Sequence, residues 1–175
     1  MMAATASVSP LSRRPHELDC GLWDFAGVDG LQTAIALFST TVSHLAPFQS
    51  CSSSLNSAPA TVLRLCENNF RVALPESVDF LAALTPLKSN VWVKPCQTAH
   101  LVLPATTGLE RLAQVAVTKP RFRLSPLPLD RAVPARIDGT AILAWHQLWP
   151  AHPRLLIQTA CTDIELVQAA FEREA

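Results

Sequence analysis

The stretch "VWVKPCQTAHLVLP", Val91 to Pro104, contains two apolar runs joined by a short polar segment. β-Branched and aromatic residues in the first run, and aliphatic residues in the second, are typical of β-strands. Cys96 and His100 lie between the centres of the two runs, four residues apart. The stretch therefore predicts either two strands with their connection, or a reactive thiol beside its base.

A cysteine acts as a nucleophile only as a thiolate, which needs a base or a positive environment. His100 is a candidate base for Cys96, and a thiol hydrolase is one possible function. However, no glycine-rich loop that could bind an oxyanion lies nearby in the sequence. The favoured interpretation is that both residues flank a turn at Gln97-Thr98, and no catalytic residue is predicted.

Length, charge and hydropathy exclude several classes of protein. The 175 residues are enough for one domain, and 49% of them are hydrophobic, which supports a substantial core. Lysine and arginine together number 14 and balance the 14 acidic residues, so binding of nucleic acid by charge alone is not indicated. No apolar run reaches the ~20 residues of a membrane helix, and we expect no membrane partner.

The cysteines and histidines do not follow a metal-binding pattern. Five cysteines at irregular spacing, without a CxxC motif, indicate free thiols in a reducing compartment. His146 and His152 are six residues apart across Pro150, and this spacing fits no zinc motif. The sequence therefore predicts no metal site and no cofactor.

Proline dominates the architecture that the sequence predicts. The chain has 14 prolines and only 5 glycines, so long helices are excluded and short segments are favoured. About eight short extended segments and no evident internal repeat indicate an all-β, antiparallel, eight-stranded jelly-roll sandwich with short helical turns. We expect residues 1–45 to form an N-terminal arm and residues 46–175 the jelly-roll domain, with Trp92 and Leu101 in its core.

One group of cations is a candidate nucleic-acid contact. Lys119, Arg121 and Arg123 alternate with other residues, so on a strand they would share one face. Such a row can face phosphate, or it can simply face water.

The order of these segments resembles the coat proteins of the tymovirus family of plant viruses. "PFQS", Pro47 to Ser50, is similar to the residues that lead into the first barrel strand of that family. The segments that follow it in the family's order, at roughly the family's spacing, are "SAPATVLRL", "SVDFLAALTPL", "VWVKPCQT", "LVLPATTG", "SPLPLD", "RIDGTAIL" and "HPRLLIQT". The resemblance covers residues 47–167.

This resemblance implies a structural coat protein, not an enzyme, that self-assembles into an icosahedral shell around a single-stranded RNA genome. The implied partners are copies of the chain itself and the packaged viral RNA. The implied location is the virion, assembled in the interior of the host cell. A β-rich cellular adaptor or assembly factor without catalytic activity is the alternative, since it accounts for the same composition.

Overall fold

The computed structural model of the protein describes residues 20–119, 124 and 126–173. The strands are β1 (Gly21–Ala26), β2 (Ser50–Leu55), β3 (Ala58–Cys66), β4 (Asn69–Leu74), β5 (Trp92–Pro95), β6 (Ala99–Pro104), β7 (Ala116–Val117), β8 (Arg131–Ile137), β9 (Thr140–Leu148) and β10 (Pro153–Thr159). The α-helices are α1 (Gly30–Phe38), α2 (Phe80–Leu84), α3 (Ala105–Val115) and α4 (Ile164–Glu172). None of these helices combines the length and apolar character that a membrane crossing requires.

The strands form two five-stranded sheets whose neighbours are all antiparallel. The first sheet has the order β2-β3-β4-β1-β5, and the second has the order β6-β10-β9-β8-β7. Each sheet follows the same plan. Its first strand leads into a helix, and a strand meander then returns to pair with that first strand, β1 with β4 and β6 with β10. The two halves therefore share a topology that their amino-acid sequences do not show.

The sheets pack face to face, and helices cover their outer faces. In the first sheet, Phe25, Phe70 and Val72 pack with α1 and α2 in one buried cluster. Alternate residues such as Leu22 and Ala73 belong to a second cluster, which lies between the sheets. A third cluster joins the outer face of the second sheet to α3 and α4. The result is a four-layered arrangement of helices, sheet, sheet and helices.

Two tight turns fix the register of the hairpins. Leu55 pairs with Ala58 across Asn56-Ser57, and both turn residues have positive φ, 50° and 67°. Asp138-Gly139 joins β8 to β9 in the same way, with φ of 49° and 87°. Two-residue turns with positive φ match the twist of antiparallel strands, and for this reason they are common in hairpins.

The predicted predominance of antiparallel β-structure is confirmed, but the jelly-roll assignment needs correction. The described residues hold ten strands and four α-helices, and the helices form two layers of their own. Only short helical turns were predicted, because frequent prolines exclude long helices. In α3 the proline stands before the first residue, where it is compatible with a helix.

The structure also differs from the prediction that residues 1–45 form an N-terminal arm. Residues 21–26 form β1, which lies between β4 and β5 inside the first sheet, and α1 packs on that sheet. The described part of the range 1–45 therefore belongs to the fold, whereas residues 1–19 lie outside the described residues. β1 lacks a clear alternation because both of its faces are buried, and such strands show no polar side in their sequence.

Only one of the two predicted core residues is buried. Leu101 is 4% exposed and packs under the helices of the second sheet. Trp92 is 49% exposed because it begins β5, an edge strand whose described partner is β1. The ammonium of Lys94 lies 5.3 Å from the centroid of the Trp92 ring, as in a cation–π contact.

This difference in burial predicts different costs for truncation. Leu101→Ala should lower the free energy of unfolding by about 2–5 kcal/mol, because it leaves a cavity in the core. Trp92→Ala should lower it by about 1 kcal/mol or less, as is typical of a surface substitution. Urea denaturation of the two variants measures both values, and equal losses would contradict the exposed position of Trp92.

Candidate functional site

The segment around Cys96 carries the chain from the first sheet to the second. β5 ends at Pro95 in the first sheet and β6 begins at Ala99 in the second. Cys96 and His100 therefore flank a crossover, not the turn of a hairpin between paired strands. The backbone N–H of Cys96 donates to the carbonyl of Leu22 at 2.8 Å, which anchors the crossover to β1.

The electrostatics of this pair oppose thiol chemistry. Burial raises the pKa of the Cys96 thiol, although the Thr98 hydroxyl 3.3 Å from Sγ and the charge of Arg71 act in the opposite direction. Burial also lowers the pKa of His100, whose buried Nδ1 has no hydrogen-bond partner. An activated pair would need a stabilised thiolate and imidazolium, and both shifts disfavour those charged forms.

A largely buried ion pair lies close to the crossover, between the sheets. Arg71 and Asp24 are directly opposite each other on β4 and β1. Nε and Nη2 of Arg71 donate to the two carboxylate oxygens of Asp24 at 2.7 and 2.8 Å. Nη1 of Arg71 donates to the side-chain oxygen of Gln158 on β10. Burial alone would lower the pKa of Arg71, but the hydrogen bonds with Asp24 raise it above its ordinary value.

Two further side chains join the sheets. The indole N–H of the fully buried Trp145 donates to the Ser50 hydroxyl at 3.0 Å, and the Thr61 hydroxyl donates to the carbonyl of Leu148 at 3.2 Å. These contacts satisfy polar groups within the interface, which would otherwise be costly to bury. These hydrogen bonds tie the two sheets to each other, whereas the buried Nε2 of Gln158, next to the ion pair, has no hydrogen-bond partner.

His146 and His152, for which the sequence predicts no metal site, lie in different environments. His146 is buried, and its Nδ1 lies 2.9 Å from the carbonyl oxygen of Leu127. His152 is exposed in the loop that precedes β10. Within residues 20–119, 124 and 126–173, no group of three or more histidine, cysteine or acidic side chains is placed to hold a metal ion.

The predicted row of cations is described only at its beginning. Lys119 is exposed and follows β7, which already ends at Val117. Arg121 and Arg123 lie outside the described residues. Their contact with nucleic acid stays a prediction.

An open groove lies on the outer side of the first sheet. It has a volume of about 750 Å³ and lies between α1, α2 and the turn that joins β2 to β3. Its lining residues are Ala36, Leu37, Leu55, Asn56, Ala58, Ser77, Val78, Asp79, Ala82, Ala83, Pro86 and Leu87. A smaller pocket of about 380 Å³ shares Ala36 and Leu87 with it and extends it toward the start of α1.

The groove combines small apolar side chains with exposed large ones. Ala36 and Ala82 lie exposed on α1 and α2, and Leu87, which also lines the groove, is 37% exposed. The exposed lining is about as polar as it is apolar, because Asn56, Ser77 and Asp79 lie beside the apolar side chains. The groove could not be predicted from the sequence, because Ala36 on α1 and Ala82 on α2 are more than 40 positions apart. The alanines of "FLAALTPL" were a local signal.

Comparison with known proteins identifies the fold. No protein-family model matches the chain, and no curated protein matches it in sequence. Among solved structures it is similar to the glycine cleavage system aminomethyltransferase T from Bartonella henselae, with a TM-score of 0.69 and 13% sequence identity. The match covers 88% of this chain but only 43% of that chain, so this chain spans less than half of the transferase.

A second similar structure is the heterotetrameric sarcosine oxidase from Corynebacterium sp. U-96 in complex with pyrrole 2-carboxylate. Its TM-score is 0.62 and its sequence identity 15%, and the match covers 87% of this chain and 77% of that chain. At identities this low, the structural similarity shows a shared fold and does not show a shared activity.

These comparisons correct the predicted function. Both similar structures are enzymes, not viral coats, so the prediction of a capsid subunit is wrong. The order of segments along the chain does not distinguish a viral coat from other proteins, because short strands separated by prolines occur in more than one β-rich fold. The predicted partners, copies of the chain and a packaged RNA, and the predicted location in a virion remain untested predictions.

The environment of Cys96 predicts slow alkylation. Its partly buried thiol has a raised pKa, whereas Cys66 and Cys161 are exposed. In the folded protein at pH 8, iodoacetamide should therefore modify Cys66 and Cys161 before Cys96. Peptide mass spectrometry over time measures the order, and unfolding in urea should remove the difference. Faster modification of Cys96 than of both exposed thiols would restore the thiol hydrolase as a candidate.

Proposed function

We propose that the chain is a non-catalytic, protein-binding subunit of a hetero-oligomeric enzyme. The observation that carries the proposal is the groove between α1 and α2, whose lining includes the exposed Leu87. Exposed apolar side chains around a groove are stabilised when another protein covers them, because their apolar surface is removed from water.

The similar structures support this proposal in two ways. The sarcosine oxidase is heterotetrameric, and the matched chain is of comparable length, since 87% of this chain covers 77% of it. This chain therefore corresponds to most of one chain of such an assembly. By contrast, it corresponds to less than half of the aminomethyltransferase, which leaves more than half of that enzyme without a counterpart here.

The chemistry of the described residues supports a binding role as well. Cys96 and His100 are shifted toward their neutral forms, which does not favour nucleophilic catalysis. Between the sheets, Arg71 is engaged with both Asp24 and Gln158. Such side chains hold a scaffold together, and the reaction would then take place on a different subunit.

We further propose that the assembled enzyme oxidises a sarcosine-like secondary amine. The support is the name of the heterotetrameric oxidase that shares the fold, together with the match over most of both chains. In this proposal the present chain contributes to assembly and stability, and it does not contact the reacting atoms.

Purification from the cells that naturally express the protein tests this function. A C-terminally tagged chain should elute as a complex much larger than its own 19.0 kDa, with a different polypeptide in fixed ratio. The complex should consume oxygen when sarcosine is added, and Cys96→Ser should leave the rate unchanged. Size-exclusion chromatography with light scattering measures the mass, and an oxygen electrode measures the activity.

Two results would contradict the proposal. A chain that purifies alone, at the mass of a monomer, would show that it is not a subunit. Loss of turnover in Cys96→Ser without loss of the complex would show that the chain takes part in catalysis.

A further inference from the structure

We propose that the groove between α1 and α2 binds an apolar polypeptide segment that carries basic side chains, contributed by the enzyme's partner subunit. This inference rests on the proposed function and adds the place and the chemistry of the contact. It follows from the aliphatic side chains that line part of the groove and from the charges around it.

The floor of the groove is suited to aliphatic side chains. Leu37, Val78 and Ala83 are partly buried and pack against the core of the first sheet, so this surface is backed by a rigid interior. Ala36 and Ala82 leave space between the helices because their side chains are only methyl groups. A segment with a few leucine-sized side chains can fill this space, as in other grooves that bind helices.

The charges around the groove are mostly negative. Asp29 and Asp79 contribute to the lining, and Glu76 is exposed directly before it, whereas Lys88 is the cation among the lining residues. The carboxylates also accept backbone hydrogen bonds, Asp29 from Asn90 at 2.7 Å and Asp79 from Ala82 at 3.0 Å. Their positions are therefore fixed, and their charge remains available to a basic partner.

The end of α1 adds to this negative potential. Ala36 and Leu37 lie in the last turn of α1, and no basic residue stands in that turn. The carbonyl end of a helix carries partial negative charge, and it favours cations. Both the side chains and the helix end therefore select a basic segment over an acidic one.

The helices of the second sheet are tied to each other directly. Arg111 on α3 donates to the carbonyl of Ala170 on α4 at 3.0 Å. Leu166 is exposed there, on the outer side of α4. The inference concerns α1 and α2 alone.

A pair of model peptides tests the chemistry. The probes are fluorescein-labelled amphipathic twelve-residue peptides built from leucine and lysine, or from leucine and glutamate in the same order. Fluorescence anisotropy with the full chain should show binding of the leucine–lysine peptide and at least tenfold weaker binding of the leucine–glutamate peptide. Hydrogen–deuterium exchange should show protection of α1 and α2 and not of α3 and α4.

Three variants locate the contact. Ala36→Arg and Ala82→Arg each place a long side chain in the groove, and both positions are exposed, so folding should be preserved. Ala113→Arg, at an exposed position on α3, is the matched control. Affinity for the leucine–lysine peptide should fall at least tenfold in both groove variants and stay within twofold in the control.

The inference is overturned if the leucine–lysine peptide does not bind, if both peptides bind equally, or if the groove variants bind as well as the control. The same variants in the natural host separate this inference from the proposed function. If Ala36→Arg still purifies with the second polypeptide in the original ratio, the groove is not the contact, but the chain remains a subunit. If the unchanged chain purifies alone, the proposed function itself fails.

Discussion

The rest of the structure depends on the ion pair of Arg71 with Asp24 between the two sheets. A buried guanidinium is tolerated only when its donors are paired, and here Asp24 accepts two hydrogen bonds while Gln158 accepts one from the other sheet. The three residues come from β4, β1 and β10. A shift of one residue in any of these strands would turn its polar side chain to the opposite face, so the contact specifies the register of both sheets.

This register determines which residues lie on each face of the two sheets. Because polar partners and apolar residues such as Leu63 and Trp145 fill the space between the sheets, the outer faces are left for the helices. The short crossover from β5 to β6 then has to pass from one sheet to the other beside the ion pair, which places Cys96 and His100 there. Their location follows from the topology, and their neutral forms follow from burial. The groove for which a partner is proposed lies on the helical side of the first sheet.

The sequence predicted the local elements better than their arrangement. The two strands in Val91 to Pro104 and the burial of Leu101 could be predicted, because composition and burial are local properties. The central position of β1 could not, since a strand buried on both faces carries no alternating pattern. The pairing of Asp24 with Arg71 joins residues 47 positions apart. The groove likewise depends on how α1 and α2 pack, and segment order along the chain does not reveal that packing.

A double-mutant cycle at the ion pair tests this account most directly. Arg71→Met and Asp24→Leu are measured singly and together by urea denaturation. Each single variant leaves one buried charge without its partner, and it should lose about 3–5 kcal/mol of unfolding free energy. The double variant should lose no more than either single variant, because it removes both charges. Losses that are small and additive would contradict the account, since they would show that the two charges do not depend on each other between the sheets.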